Sequence, residues 1–386
     1  MPAINATRKE FWKVWRIKKG RLRVGVLLCL LVYLCCLLTV PVLAEGPESN
    51  GYVADKPLTE YKHDTVKGDL YYTIGSSKYS GKVYGGNAYS VSLNVNLPEG
   101  SSVKLARLYD YWTWSAEIVT GRDPEMELSF NGEGLEPEVK YSDRKLWGIY
   151  DYPSGTWAYN VTDYVSGSGT YSVEIKNIGP STSFICFDGV GLLIVYEDPN
   201  GKDIEYWISE GADMLNSQTD ENGNPLYYVT PNQTICEMLK PTIQFPISKA
   251  TLWSVIQSGN WEDNILLVND KEIPGICNGK PYADLDLDTR DVTADLVSGE
   301  NLIRFQAVGD YVVPSNSFLI VETVPGTGGE TASNGASDGT SDENSEEASG
   351  DSEEQESGQA SSPGFGFGTT LALLAGGKLV VKKRWK

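Results

Sequence analysis

Residues 88–97 read AYSVSLNVNL, and their alternation decides the fold class. Val91, Leu93, Val95 and Leu97 fall on one side of an extended chain, and Ser90, Ser92, Asn94 and Asn96 on the other. Side chains on a strand repeat with a period of two, so four apolar groups meet a core while the polar set stays in water. The alternation returns in TYSVEIKN through Tyr171, Val173 and Ile175, and in ENLIRFQAV through Ile303, Phe305 and Ala307. The run GLLIVY from Gly191 is apolar on both faces and predicts a central strand. Long helical periodicity is missing from this part of the chain.

Working outward, the sequence resembles itself. NVTDYVSGSGTYSVEI from Asn160 matches DVTADLVSGENLIRFQ from Asp291, and LLIVYEDP from Leu192 matches FLIVETVP from Phe318. ELSFNGEGL from Glu127 matches ILLVNDKEI from Ile265, and KLARLY from Lys104 matches KATLW from Lys249. Four matches between one half and the other predict two related all-β units. A sheet with one apolar face buries it against another, so the expectation is two tandem antiparallel β sandwiches, jelly-roll-like, over 45–200 and 201–325. The join falls at EDPNGKD, Glu197 to Asp203, and Gly211 to Gln233 reads as a long loop.

The two ends have other characters. Eight basic residues precede an apolar run from Val24 to Leu43 that ends at Ala44. That order is a signal peptide over 1–44, cut before Glu45, or an uncleaved signal helix that anchors the chain. Both readings send residue 45 onward out of the cell. Residues 326–363 hold ten acidic residues and no basic ones in a Ser/Gly-rich background, the composition of a disordered spacer. A flexible spacer of this length spans roughly 30–40 Å. Residues 364–386 form a C-terminal apolar segment that closes on the basic KKRWK.

The stretch SPGFGFG, with Pro363, Gly364 and Phe365, then the apolar run and Lys382, Lys383 and Arg384, resembles the PGF-type C-terminal sorting signal of archaeal surface proteins. That resemblance implies a membrane sorting enzyme as partner, removal of the segment and attachment of lipid. KHDTVKGDLYYTIG from Lys62, KLARLYDYW, VTDYVSG and LIVYEDP, with their second-half counterparts, resemble the archaeal domain-of-unknown-function 3344 family across most of 55–325. This implies a cell-surface role and supplies no catalytic residues.

Between residues 45 and 325 the chain carries 19 basic and 41 acidic residues. So acidic a surface argues against nucleic acid as a partner. Of the exported cysteines, Cys186 lies in an apolar strand-like run and reads as a buried thiol. Cys236 and Cys277 lie in turn-rich segments and are expected to pair as a disulfide. Asn160 and Asn232 begin glycosylation sequons, acceptors only where exposed. Asp284, Asp286, Asp288 and Asp291 admit two readings: oxygen ligands for calcium, the sole cofactor the sequence suggests, or the wet face of a strand whose Leu285 and Leu287 point inward. Tyr109, Tyr111, Trp112 and Trp114 read as core filler or, exposed, as a protein contact or as rings for glycan stacking, with Trp112 and Trp114 as the stacking pair. His63 stands alone, and neither a nucleophile elbow nor a metal triad is present, so no enzyme activity is expected. The expectation is a non-catalytic envelope protein that engages envelope components or itself, with a glycan- or ligand-binding surface module as the alternative.

Overall fold

A computed structural model describes residues 51–146 and 151–324. The signal segment over 1–44, the spacer over 326–363, Pro363, Gly364 and Phe365, and the C-terminal apolar segment lie outside the described residues. Among the described residues no helix is long and apolar enough to cross a membrane.

The strands of the first half are β1 Thr59–Thr73, β2 Ala88–Val95, β3 Ser102–Glu117, β4 Met126–Phe130, β5 Val139–Asp143, β6 Ser154–Asn160, β7 Gly169–Asn177 and β8 Ser183–Glu197. Those of the second are β9 Lys202–Glu210, β10 Ile235–Leu239, β11 Ile247–Gln257, β12 Ile265–Val268, β13 Lys271–Pro274, β14 Leu285–Asp291, β15 Ile303–Gln306 and β16 Tyr311–Thr323. One large sheet runs β14-β11-β16-β9-β1-β8-β3-β6-β5, with shorter pairings at its margins. Two outer sheets cover it, β2-β7-β4 with Glu133–Leu135 in the first half and β10-β15-β12-β13 in the second. The all-β expectation holds. The two halves meet inside the large sheet, where β1 pairs with β9 from Thr59↔Glu210 to Gly68↔Lys202.

Three layers of apolar side chains follow from this arrangement. Val91, Leu93, Val95 and Leu97 join Leu108, Trp112, Leu192 and Ile194 between the first outer sheet and the large sheet. Ile303, Phe305 and Ala307 join Leu252, Leu319 and Val321 in the second half. The third layer draws on both halves: Leu70, Tyr109, Tyr111, Leu193 and Val195 lie with Ile208, Val255, Phe318 and Ile320. Burying both faces explains why β8 reads as an unbroken apolar run. Polar bonds cross the same layer, from Tyr111 to Asn316 Oδ1 at 2.6 Å and from Gln257 Nε2 to the Gly155 carbonyl at 3.1 Å.

The repeated segments take equivalent places: β3 and β11 each flank the long strand of their half, and β4 and β12 each open a hairpin in an outer sheet. Their register differs. Matching Leu192 with Phe318 by sequence puts a side chain of the first outer core beside one of the shared layer. A slip of one residue inverts a strand's faces, so the structural match on β8 and β16 lies one residue away from the sequence match.

Candidate functional site

The end of β9 and the chain just after it bring the buried charges of the two halves together. Arg107 on β3 is fully buried and gives Nε and Nη2 to the carboxylate of Glu210 at 2.9 and 2.8 Å. It also bonds Glu138 through Nη1, and the Tyr61 ring lies 3.8 Å from its guanidinium carbon. Tyr109 and Tyr141 donate to Glu210 at 2.9 and 3.3 Å. Burial pulls the Arg107 pKa down, but the bonds and charge of Glu210 outweigh that and hold it up. Each is the principal partner of the other, and Glu138, Tyr109 and Tyr141 complete the set, an arrangement suited to fixing one half on the other.

A second cluster lies nearby in sequence, where β5 ends and the chain leaves β9. Lys145 Nζ lies 2.8 Å from Asp143 Oδ2 and 3.0 Å from Asp213 Oδ1, and it bonds Asp55 and the Val53 carbonyl. Asp143 is held further by the Met214 amide at 2.6 Å and Lys56 Nζ at 3.2 Å. The Lys145 side chain is only 3% exposed. One ligand atom from each of Asp55, Asp143 and Asp213 falls within 4.8 Å of the others. Three hard oxygen donors so placed could coordinate a divalent cation, with no preference for calcium. Such an ion would compete with the Lys145 ammonium, which already neutralises part of the cluster.

The residues singled out in sequence behave differently. Among the described residues Asp284, Asp286, Asp288 and Asp291 form no group that converges on one point, and of the aspartates of β14 only Asp291 is exposed. Asp286 accepts the Gly279 and Lys280 amides, Asp288 pairs with Arg290 at 2.6 Å, and Asp291 bonds Thr293. Asp286 and Asp288 are buried because the large sheet is covered on both sides here. Cys236 and Cys277 form no disulfide; both are free, buried thiols, as is Cys186. Cys236 Sγ reaches the Lys56 carbonyl, Cys277 packs beneath Gly259, and burial pushes both thiols well up, away from the reactive thiolate. Asn160 and Asn232 are exposed. His63 bonds Glu205 at 2.7 Å and stacks on Trp207.

Trp112 has 0% exposure, so it cannot stack on a sugar, and Trp114 is half-buried against Tyr311. Among the described residues the exposed indole is Trp261, at 52%, on the loop between β11 and β12. Its Nε1 donates to Asp263 at 2.8 Å. Asp310 braces that loop by accepting from Asn264 Nδ2 at 2.8 Å and from the Asn260 amide at 3.4 Å. The signal that could have found Trp261 is its setting, SGNWEDN, a large ring in a polar turn outside any alternating strand. Elsewhere Asp110 and Asp188 are fully buried, and none of their carboxylate oxygens meets a hydrogen-bond partner. Burial pushes both carboxyls far above the usual range.

Among solved structures, the chain is similar to the Streptomyces avermitilis alpha-L-rhamnosidase complexed with L-rhamnose at 12% identity and a TM-score of 0.18, over 69% of this chain and 29% of that one. An uncharacterized Listeria monocytogenes protein matches at 8% and 0.19, over 70% of this chain and 22% of that one. The cycloalternan-forming enzyme of Listeria monocytogenes matches at 9% and 0.17, over 62% and 20%. The chain spans less than a third of each, and at these TM-scores the likeness carries no argument about fold or activity. No curated protein matches it. The sequence does fit the family described as "Protein of unknown function (DUF3344)" from residue 51 to residue 322, across both halves and the seam between them, and the chain belongs to that family.

Proposed function

We propose that this is a non-catalytic carbohydrate-binding module, exported and displayed at the cell surface on its acidic spacer, with the sorting signal as its route to the membrane. The observation that carries the reading is Trp261: an exposed indole, tied to Asp263, on a loop braced by the buried Asp310. An indole face stacks on the C–H face of a sugar, and adjacent carboxylates and amides accept or donate to its hydroxyls. A loop already held in place loses little freedom on binding. The test is a glycan array probed with the full chain and with Trp261→Ala. Binding to one glycan class that disappears in the variant supports the reading; a blank array, or binding unchanged in the variant, overturns it.

A structural reading has one observation in its favour. Ile118 and Val119, 67% and 70% exposed, sit at the tip of the hairpin that closes β3, and Ile118 is held at φ 59. A β-branched residue in the left-handed region is strained, and strain at an exposed apolar tip suits contact with another envelope component or a second copy. Ordered self-association of the full chain in light scattering, lost in Ile118→Asp, would favour it over the carbohydrate reading.

A further inference from the structure

We infer that Lys145 and Asp213 become joined by an isopeptide bond between Nζ and Cγ, formed by the folded chain itself and locking its two halves together.

The reactants are already in place. Lys145 follows β5 in the first half, Asp213 follows β9 in the second, and Nζ lies 3.0 Å from Asp213 Oδ1. The Lys145 side chain is 3% exposed and that of Asp213 0%. The N-terminal segment covers them: Val53 and Asp55 bond Nζ, and a side chain at Gly51 would collide with the backbone of Lys145. Asp213 Oδ2 is buried without a hydrogen-bond partner, so half of this carboxylate gains nothing from staying ionised. A third group touches the reacting nitrogen: Asp143 Oδ2, 2.8 Å away and itself buried, is fixed by the Met214 amide. Four acceptors surround an ammonium that has three protons.

The chemistry balances without any co-reactant. Asp143 passes one proton from the Lys145 ammonium to the Asp213 carboxylate, which leaves a neutral amine beside a carboxylic acid. The amine lone pair attacks Cγ of Asp213, and the N–C bond forms. Asp143 takes a second proton from that nitrogen and gives it to a hydroxyl on Cγ, the C–O bond breaks, and water departs. An ammonium and a carboxylate have become an amide and one water, with no change of oxidation state. Burial supports the condensation. The Lys145 and Asp213 side chains are 3% and 0% exposed, so water stabilises the charge of neither and a neutral amide loses nothing by comparison. Enclosure also supplies the close, fixed approach that turns a slow condensation into an intramolecular one. A bound divalent cation at the same carboxylates would have to displace Lys145, so the two outcomes exclude each other.

The full chain, purified folded and then denatured and digested with trypsin, decides the matter. The expected product is a branched peptide joining the segments that contain Lys145 and Asp213, lighter than their sum by one water and uncut at Lys145. Asp213→Ala gives the two segments separately. Asp213→Asn loses ammonia instead of water and converges on the same branched mass. Asp143→Ala keeps both reacting atoms and loses the bond. Complete recovery of both unmodified segments from the folded wild-type chain overturns the inference whether or not any variant folds. A branched product at full yield in Asp143→Ala overturns the role given to that carboxylate.

Discussion

The strands β3 and β11 hold equivalent places in the large sheet, yet they bury different chemistry. Strand β3 buries Arg107 and Asp110 among its aromatics, whereas β11 buries Ala250, Leu252, Val255 and Ile256 with only the uncharged Ser254 and Gln257. The halves also satisfy their buried charges differently. In the second half three buried carboxylates are met from within: Asp286 accepts the Gly279 and Lys280 amides, Asp288 pairs with Arg290, and Asp310 holds Asn264, while Glu210 and Asp213 serve the seam. The first half draws on its neighbour, Arg107 on Glu210 and Lys145 on Asp213. Two related units have diverged so that one supplies the counter-charges of the other. The seam is therefore electrostatic at one end and apolar in the shared layer.

The largest expected effect strikes that dependence. Arg107→Met leaves Glu210 buried with its principal partner gone, which costs about 3–5 kcal/mol. Replacing Glu210 by Met as well removes the orphaned charge and recovers much of the loss, because apolar substitutes for a buried pair are often tolerated. Urea unfolding of the three variants measures it. A loss below about 1 kcal/mol for Arg107→Met would break the comparison, since the Glu210 carboxylate would then be solvated rather than dependent on its partner. The counterpart on the apolar strand is Leu252→Ala. It removes only packing, and the expected loss is about 3 kcal/mol, without rescue by any change at Glu210.

A smaller effect sharpens the contrast by pH. Burial raises the carboxyls of Asp286 and Asp310 in the folded chain to about 6 each, above their unfolded value near 3.8. A raised carboxyl pKa means the folded state binds the proton more tightly. Its contribution is complete below about pH 4 and is lost as pH rises through about 6. Unfolding midpoints should therefore be higher at pH 5 than at pH 7, by about 1 kcal/mol for each group. Asp286→Asn should flatten part of the slope. A midpoint that falls between pH 7 and pH 5 would mean these carboxylates are stabilised as anions by their amide donors.

The outer-sheet strands were the most legible part of the sequence, and the reason is physical. Val91, Leu93 and Val95 face a core on one side and water on the other, so period two is written into the residues. Strands of the large sheet are covered on both faces, and that erases the alternation. Their matches between halves could be found but not their facing, as the one-residue shift between Leu192 and Phe318 illustrates. The same double covering defeated the reading of β14. Asp286 and Asp288 alternate with leucines as a wet face would, but the second face is also interior. The Lys145 cluster was illegible for another reason. Asp55, Asp143 and Asp213 are scattered along the chain and meet only because β9 crosses from one half to the other. Trp112 and Trp114 drew attention because they are dense in sequence. Density in a strand signals packing, and the exposed ring stands alone in a turn.

The smallest effect on stability belongs to that turn, and there the halves differ again. Trp112 on β3 fills the first core, so Trp112→Ala should cost about 3–5 kcal/mol. Trp261 is half exposed, and its bond to Asp263 lies at the surface. Trp261→Ala should change stability by no more than about 0.5 kcal/mol, the range for a surface site without a special role. The fold around the loop survives because Asp310 holds it through Asn264 and the Asn260 backbone, and neither contact involves the indole. The pair of variants therefore separates packing from recognition. If Trp261 serves binding, its loss removes glycan affinity at unchanged unfolding midpoint, and Trp112→Ala lowers both only insofar as the chain unfolds. Should Trp261→Ala destabilise the protein as much as Trp112→Ala, the indole would be a structural cover for the Asp310 brace. Its exposure would then be no argument for a ligand.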